Sequence, residues 1–425
     1  MLYRNDFCSC FKESKLVLME LDKRNLYNMP WSINDSPLGW LEVTDVCNIN
    51  CRGCYRRNRS GHKPIDQLRE EVLFLKKWRN SDSIAIAGGE PTLHPDILDL
   101  IKFIRENGMK SLIITNGYGL TRERLTELRS AGLTGLSFNI NATQERPEFR
   151  DMDEVTIATL NDIRLEYARM VADTGGLTAG FKITVDNRTI NDVPGFVQWA
   201  VNNAGLINSI TLVTFRGLPV SREFDYFSDG KKISISTESL GYAISAGEKE
   251  RISVTSNDIY RIIREHFPEY DASSYLGGTA DHTSFKWLLG NIVMNSKGKM
   301  FGSYGKKTME LIQALYHFIY GSYVLHLKKR KSGRKIFFLV LFDRTLRRTF
   351  GRFLKYVLVN PFRLFYRINI LNIAVLQAPD VLPDGSCDMC ESCPDLCVYE
   401  GRLVPSCRLD EYIQYGGLLR VQKKH

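Results

Sequence analysis

From about residue 39 to 215, short β-rich apolar runs alternate with stretches of helical periodicity. The runs are 40–44, 83–87, 111–115, 135–140, 180–185 and 209–215. Between them, 65–78, 96–107, 121–131, 160–171 and 193–203 repeat apolar residues at helix spacing. Strand–helix alternation predicts βαβ units and a parallel sheet. Right-handed crossovers curl such a sheet, and six units fall short of the eight that close a barrel. The predicted fold is α/β: a partial (β/α)6 TIM-like barrel with a C-terminal α-rich, cysteine-rich extension. Beyond Arg216 the pattern loosens into a short helix over 257–266 capped by Ser256 and a hairpin strand over 288–294. Asn295-Ser296-Lys297-Gly298 reads as the hairpin turn. The expected division is an N-terminal extension (1–38), the barrel (39–216) and a substrate-side α+β region (217–305). A helical basic region (306–378) and a cysteine-rich tail (379–425) follow.

The composition fits this picture. The chain has 425 residues, 44% hydrophobic and 25% charged, as a globular protein of more than one part would. Its ten cysteines form three groups: Cys8 and Cys10; Cys47, Cys51 and Cys54; and Cys387, Cys390, Cys393, Cys397 and Cys407. A disulfide framework would spread its cysteines over a short secreted chain. Tight clusters separated by a long empty stretch point instead to metal or iron–sulfur ligation in a reducing cytosol. The first residues lack a signal-peptide pattern. No apolar run reaches membrane-spanning length; the best, 308–327, is interrupted by Glu310, Gln313 and His317.

In barrels of this kind, chemistry gathers at the C-terminal ends of the strands. There the sequence places Cys47 after the first run, Gly88-Gly89-Glu90-Pro91 after the second and Asn116 after the third. Asn139 and Asn141 end the fourth. Three thiolates at spacing x3 and x2 can hold three irons of one [4Fe–4S] cube, leaving the fourth open to chelate a substrate. A zinc knuckle with His62 as fourth ligand is the competing reading.

The combination of Cys47-x3-Cys51-x2-Cys54 with Gly88-Gly89-Glu90-Pro91 resembles the radical S-adenosylmethionine (radical SAM) superfamily. The resemblance covers about residues 39–215. It implies that the glycine-rich segment binds the methionine amino group of S-adenosylmethionine, with Glu90 as acceptor and Gly88 and Gly89 permitting close approach. It also makes Asn116, Ser137 and Asn139 candidates for the methionine and ribose, with Lys182 and Thr184 lining the pocket. The implied chemistry is reductive cleavage of the cosubstrate to a 5′-deoxyadenosyl radical that abstracts hydrogen. An electron donor such as ferredoxin or flavodoxin would supply the electron. One departure touches the adenine contact: Gly53 stands where many members carry an aromatic residue, and Tyr55 follows Cys54 instead.

Cys387-x2-Cys390-x2-Cys393-x3-Cys397 has the spacing of a bacterial ferredoxin run. In such runs the fourth cysteine serves elsewhere, so Cys407 is the expected remote ligand and Cys397 the alternative. A second [4Fe–4S] cluster is the expectation and structural zinc the competitor.

Residues 326–367 hold thirteen Lys or Arg against one acid, Asp343, while the whole chain is only +9. An apolar run over 336–342 and large apolar residues at helical spacing after it are interleaved with these cations. This is the pattern of a helix lying in a membrane interface rather than of a nucleic-acid groove. The expectation is a cytoplasmic enzyme, peripheral on the membrane, acting on an apolar or lipid substrate. The chain also resembles, weakly, the lipid-acting branch of the superfamily that includes archaeal tetraether lipid synthase. A peptide-modifying maturase and a non-catalytic metal-binding scaffold are the alternatives.

Overall fold

The computed structural model describes residues 21–424 except 57–60, 151, 153, 246, 249–251, 326–332 and 383. Cys8 and Cys10 lie outside the described residues. Six parallel strands form the barrel wall: β1 (Leu38–Thr44), β2 (Ser83–Gly88), β3 (Lys110–Thr115), β4 (Gly135–Asn139), β5 (Thr178–Val185) and β6 (Ser209–Thr214). Helices α1 (Ile65–Arg79), α2 (Ile97–Glu106), α3 (Arg122–Ala131), α4 (Ile157–Thr174) and α5 (Val193–Asn202) alternate with them and cover the outside. The structure is thus a mixed α/β fold with a partial TIM-like sheet. Helix punctuation is local: Thr121 and Thr156 cap α3 and α4 through side-chain oxygens, and Gly132 ends α3 in the left-handed region.

Strand alternation decides what reaches the interior. On β5, Ala179, Phe181, Ile183 and Val185 join the buried core under the helices. Gly180, Lys182 and Thr184, one residue out of step, line the barrel's cavities.

The sheet does not stop at β6. Strand β9 (Ile368–Gln377) pairs parallel to it, then β8 (Phe285–Asn295) and β7 (Asp271–Gly277) follow antiparallel. A two-residue strand, Tyr27–Asn28, pairs parallel with β7 at one edge, and from there the spatial order is β7-β8-β9-β6-β5-β4-β3-β2-β1. The regions expected as separate units after residue 216 therefore lend strands to the barrel sheet. Helix α6 (Ser256–His266) begins one residue earlier than the sequence implies, because Thr255, not Ser256, forms the capping box with Asp258. Helices α7 (Lys306–Tyr320) and α8 (Arg344–Val359) pack beyond β8.

The tail is less helical than expected. It consists of short strands, including the hairpin β10 (Leu396–Tyr399) and β11 (Arg402–Pro405), and one short helix, α9 (Leu409–Tyr415). It reaches both ends of the sheet. Cys397, Val404 and Leu409 pack with Leu38 and Trp40 of β1. At the other end, the Glu391 amide donates to Gly277 O (2.9 Å) and Cys390 pairs with Gly278. Fully buried Lys286 of β8 fixes the arrangement through Asp380 (2.6 Å) and Asp388 (2.8 Å).

Candidate active site

The chain leaves β1 at Thr44 and reaches Cys47 three residues later. The end of β2 locks this turn in place. Gly89 N–H donates to Thr44 O (2.7 Å) and Glu90 N–H donates to Val46 O (2.8 Å). A Cβ on Gly88 would lie 2.3 Å from Thr44 O, and one on Gly89 would lie 2.2 Å from Val46 O. Gly88 also sits at φ +126°. The two glycines are therefore required by the cysteine loop's own backbone.

Glu90 is the residue expected to accept from the ammonium. It is fully buried and does not line the cavity. Its carboxylate accepts from Thr92 N–H (3.1 Å), Thr92 Oγ1 (2.7 Å), Thr115 Oγ1 (2.8 Å) and Asn116 N–H (2.8 Å). Three of these donors meet Oε1 and one meets Oε2, and together they tie the end of β2 to that of β3. Burial raises its carboxyl above the usual range, opposed by these bonds. Pro91 is buried beneath the same turn.

A cavity of ≈ 440 Å³ opens at this end of the barrel. Cys47, Cys51, Cys54, Gly88, Gly89, Asn116, Asn139, Lys182 and Thr184 all line it. Ser137 does not; two residues before Asn139 on the same strand face, it lines a second cavity deeper in the barrel. Asn116 Nδ2 donates to Asn48 Oδ1 (2.9 Å) and reaches Cys47 Sγ at 3.7 Å. Burial pushes Cys51 up to about 12 and Cys54 to about 11, and the neighbouring thiolates add to both. Burial likewise raises Cys47.

Asn141, placed by the sequence at the end of the fourth run, is joined by two residues the sequence did not single out, Gln144 of the wall and Arg146 beside it. Asn141 Oδ1 accepts from Thr184 N–H (3.0 Å), and Gln144 Nε2 donates to Asn139 O (2.8 Å). Arg146 Nη1 donates to Asn116 O (2.7 Å). Their signal was position: all three follow the end of β4. Gly53 adopts φ +79°, and a Cβ there would meet the Phe215 ring at 2.5 Å. The aromatic wall absent before Cys54 in sequence is thus supplied in space by Phe215. Buried Arg56 links Asp410 (2.5 Å), Asp45 and Glu42 (3.5 Å), joining the cysteine loop to α9. His62 is engaged elsewhere, with Nδ1 2.9 Å from Thr44 Oγ1, and does not line the cavity.

The tail cysteines separate into two environments. Cys390, Cys393 and Cys407 are close enough that each ionised thiolate opposes ionisation of a neighbour. Arg408 donates to Cys387 Sγ (3.1 Å) and to Glu411 (2.6 Å). Cys407 also lines the main cavity. Cys397 stands apart: buried in the apolar cluster against β1, it donates to Val404 O (3.5 Å). Arg79, at the end of α1, holds the loop between them by donating to Cys393 O (3.2 Å) and Pro394 O (3.0 Å).

Both thiol sets suit iron–sulfur clusters. Among the described residues no three His, Cys, Asp or Glu side chains converge as one metal ion requires. A cube attaches each thiolate to a different iron and needs no such convergence.

The family model described as the radical SAM superfamily matches residues 41–200. Fe-coproporphyrin III synthase of Methanosarcina barkeri is 25% identical over 194 residues, 44% of this chain and 47% of that one. A probable GTP 3′,8-cyclase of Saccharolobus islandicus is 25% identical over 175 residues, 41% and 55% of the two chains. The chain spans about half the length of the curated relatives it matches. Among solved structures, Streptococcus suis SuiB bound to its precursor peptide SuiA aligns at 15% identity with a TM-score of 0.38, covering 56% and 46%. With its cysteine loop and glycine turn at residues 47–91, the chain carries a radical SAM superfamily domain over residues 41–200.

Proposed function

We propose that the protein is an enzyme that cleaves S-adenosylmethionine and abstracts hydrogen from an apolar substrate at a membrane surface. The observation that carries the catalytic reading is the convergence of Cys47, Cys51 and Cys54 with Gly88, Gly89 and Asn116 on one cavity. When bound, the [4Fe–4S] cluster and its cosubstrate supply a reducing electron and a carbon radical. The protein does the positioning. Cys47, Cys51 and Cys54 would hold the cluster, and Asn116 bonds towards Cys47 from the next strand but one. The glycine turn fixes the loop's entry, while Asn139, Asn141 and Gln144 present polar groups to the cosubstrate. Phe215 and Ile114 keep the wall apolar and exclude water. Cys387, Cys390, Cys393 and Cys407 would hold a second cluster at the cavity's edge.

The membrane reading rests on residues 333–365. One face of α8 packs inward through Leu346, Thr349 and Phe353. Phe338, Leu358, Phe362 and Phe365 remain about four-fifths exposed, at 81, 79, 78 and 79%. Large aromatic side chains left in water beside a strongly basic segment match the requirements of an anionic bilayer surface. Among the described residues no helix is long and apolar enough to cross a membrane.

The test is formation of methionine and 5′-deoxyadenosine by anaerobically reconstituted protein with dithionite. Cleavage by the parent and none by Cys51→Ala supports the reading. No cleavage by a parent that has bound iron and sulfide would refute it.

A further inference from the structure

The cysteine-lined cavity is not the only one in the barrel. Below it lies a second, of ≈ 320 Å³, and the two share Ile114 and Lys182 in their walls. Trp40, Leu136, Trp287, Met309 and Leu376 give the lower cavity a mainly apolar surface. Interiors are packed nearly without voids, so a chamber of this size and lining has the character of a binding site.

Charge sharpens the point. Five cationic side chains line the two cavities. Arg52, Arg56, Arg216 and Arg408 each have a carboxylate partner. Lys182 has no hydrogen bond and no ion pair within 4 Å among the described residues. It also stands at the waist where the cavities meet, and burial lowers its ammonium below the usual range. Asp395, delivered by the Cys393–Cys397 loop, lines the lower cavity, and its buried Oδ1 has no hydrogen-bond partner. Buried polar groups are ordinarily satisfied. Here a cation and a carboxylate that attract each other electrostatically, yet share no hydrogen bond, face one apolar chamber.

We propose that the lower cavity is the substrate site, taking an apolar chain whose head carries an anionic oxygen for Lys182 and a hydroxyl donor for Asp395. The chain fills the chamber, and the head rests at the waist with its neighbouring carbons towards the cysteine-lined cavity. This rests on the catalytic reading above and names the substrate class. The anionic oxygen can belong to a carboxylate or to a phosphate ester.

The test is displacement of bound cis-parinarate, a fluorescent chain carboxylate, from the full-length reconstituted protein. The background is Phe338→Ser/Phe362→Ser/Phe365→Ser, which removes surface binding. The expected result is a single site emptied by 2-hydroxydodecanoate or by dodecyl phosphate, but not by dodecanol. Whichever anion competes at lower concentration identifies the head. Lys182→Met, which keeps the side chain's length without its charge, should weaken binding about tenfold. Ala374→Phe, which fills the chamber from β9, should abolish it. Near-UV circular dichroism establishes that each variant is folded; if Ala374→Phe is not, Lys182→Met carries the test. Undiminished binding to Lys182→Met, equal competition by dodecanol, or no binding in the surface-variant background would overturn the proposal. Probe binding without 5′-deoxyadenosine formation would instead sink the catalytic reading and leave the cavity assignment standing.

Discussion

Gly89→Ala is the most informative single change at the cysteine loop. The new Cβ would fall 2.2 Å from Val46 O and 2.7 Å from Val46 C, both backbone atoms. No side-chain rotation relieves that contact, so the two segments must part by roughly 1 Å. Overpacking of this kind costs about 1–3 kcal/mol. Parting also strains the bonds Gly89 N–H to Thr44 O and Glu90 N–H to Val46 O, each contributing about 0.5–1.5 kcal/mol. The sum is about 2–6 kcal/mol, concentrated at the entry to Cys47. Urea unfolding of the anaerobic protein gives the stability, and iron retained after desalting gives the state of the loop. Gly351→Ala is the control, because its Cβ meets nothing within 4 Å inside α8; helix propensity predicts about 1 kcal/mol of stabilisation there. If Gly89→Ala lies within about 0.5 kcal/mol of the parent and keeps its iron, the steric account of the glycine turn is wrong.

Glu90→Gln places an amide N–H₂ against donors it cannot accept from, which costs about 2–4 kcal/mol in an unfolding titration. The Glu90 carboxyl is raised in the folded protein. Its contribution is therefore full below the unfolded carboxyl range and is lost as pH rises through the raised value, so the gap to Glu90→Gln should narrow with rising pH. A gap that widens would contradict this sign. Reconstituted parent should hold about eight irons, and Cys393→Ala or Cys407→Ala about four, whereas Cys397→Ala keeps about eight. Iron analysis showing Cys397→Ala equal to the other two would return Cys397 to the ligand set. Phe338→Ser/Phe362→Ser/Phe365→Ser should release the protein from anionic vesicles in flotation, and added salt should weaken the parent's binding. Equal flotation of both proteins would remove the membrane role from this face.

Periodicity made the six barrel strands legible, since each lies within one βα unit. It failed where partners are remote. Ile368–Gln377 sits at the end of a basic segment and pairs with Ser209–Thr214, more than 150 residues earlier. Phe285–Asn295 is buried on both faces, so alternation reveals only part of its length. Cys47, Cys51 and Cys54 were legible from their spacing, and the fold brings all three to one cavity. The division of the tail was less so: Cys397 stands apart from Cys390, Cys393 and Cys407 because the β10–β11 hairpin packs it in the cluster with Trp40, a contact that spacing does not encode. The tie that Glu90 makes between strands was not legible, because its donors Thr115 and Asn116 arrive from the next strand. Lys182 was visible as an inward-facing residue on β5. That the carboxylate facing it is Asp395, more than 200 residues further along the chain, emerges only in the fold.

The central claim is that Cys47, Cys51 and Cys54 hold a cluster with one iron open to S-adenosylmethionine. The direct measurement is electron paramagnetic resonance of the dithionite-reduced Cys393→Ala protein, which isolates the first site, before and after adding the cosubstrate. The account predicts a reduced [4Fe–4S] signal whose shape changes on addition. A signal unmoved by saturating S-adenosylmethionine, or its persistence in Cys393→Ala/Cys51→Ala, would contradict it.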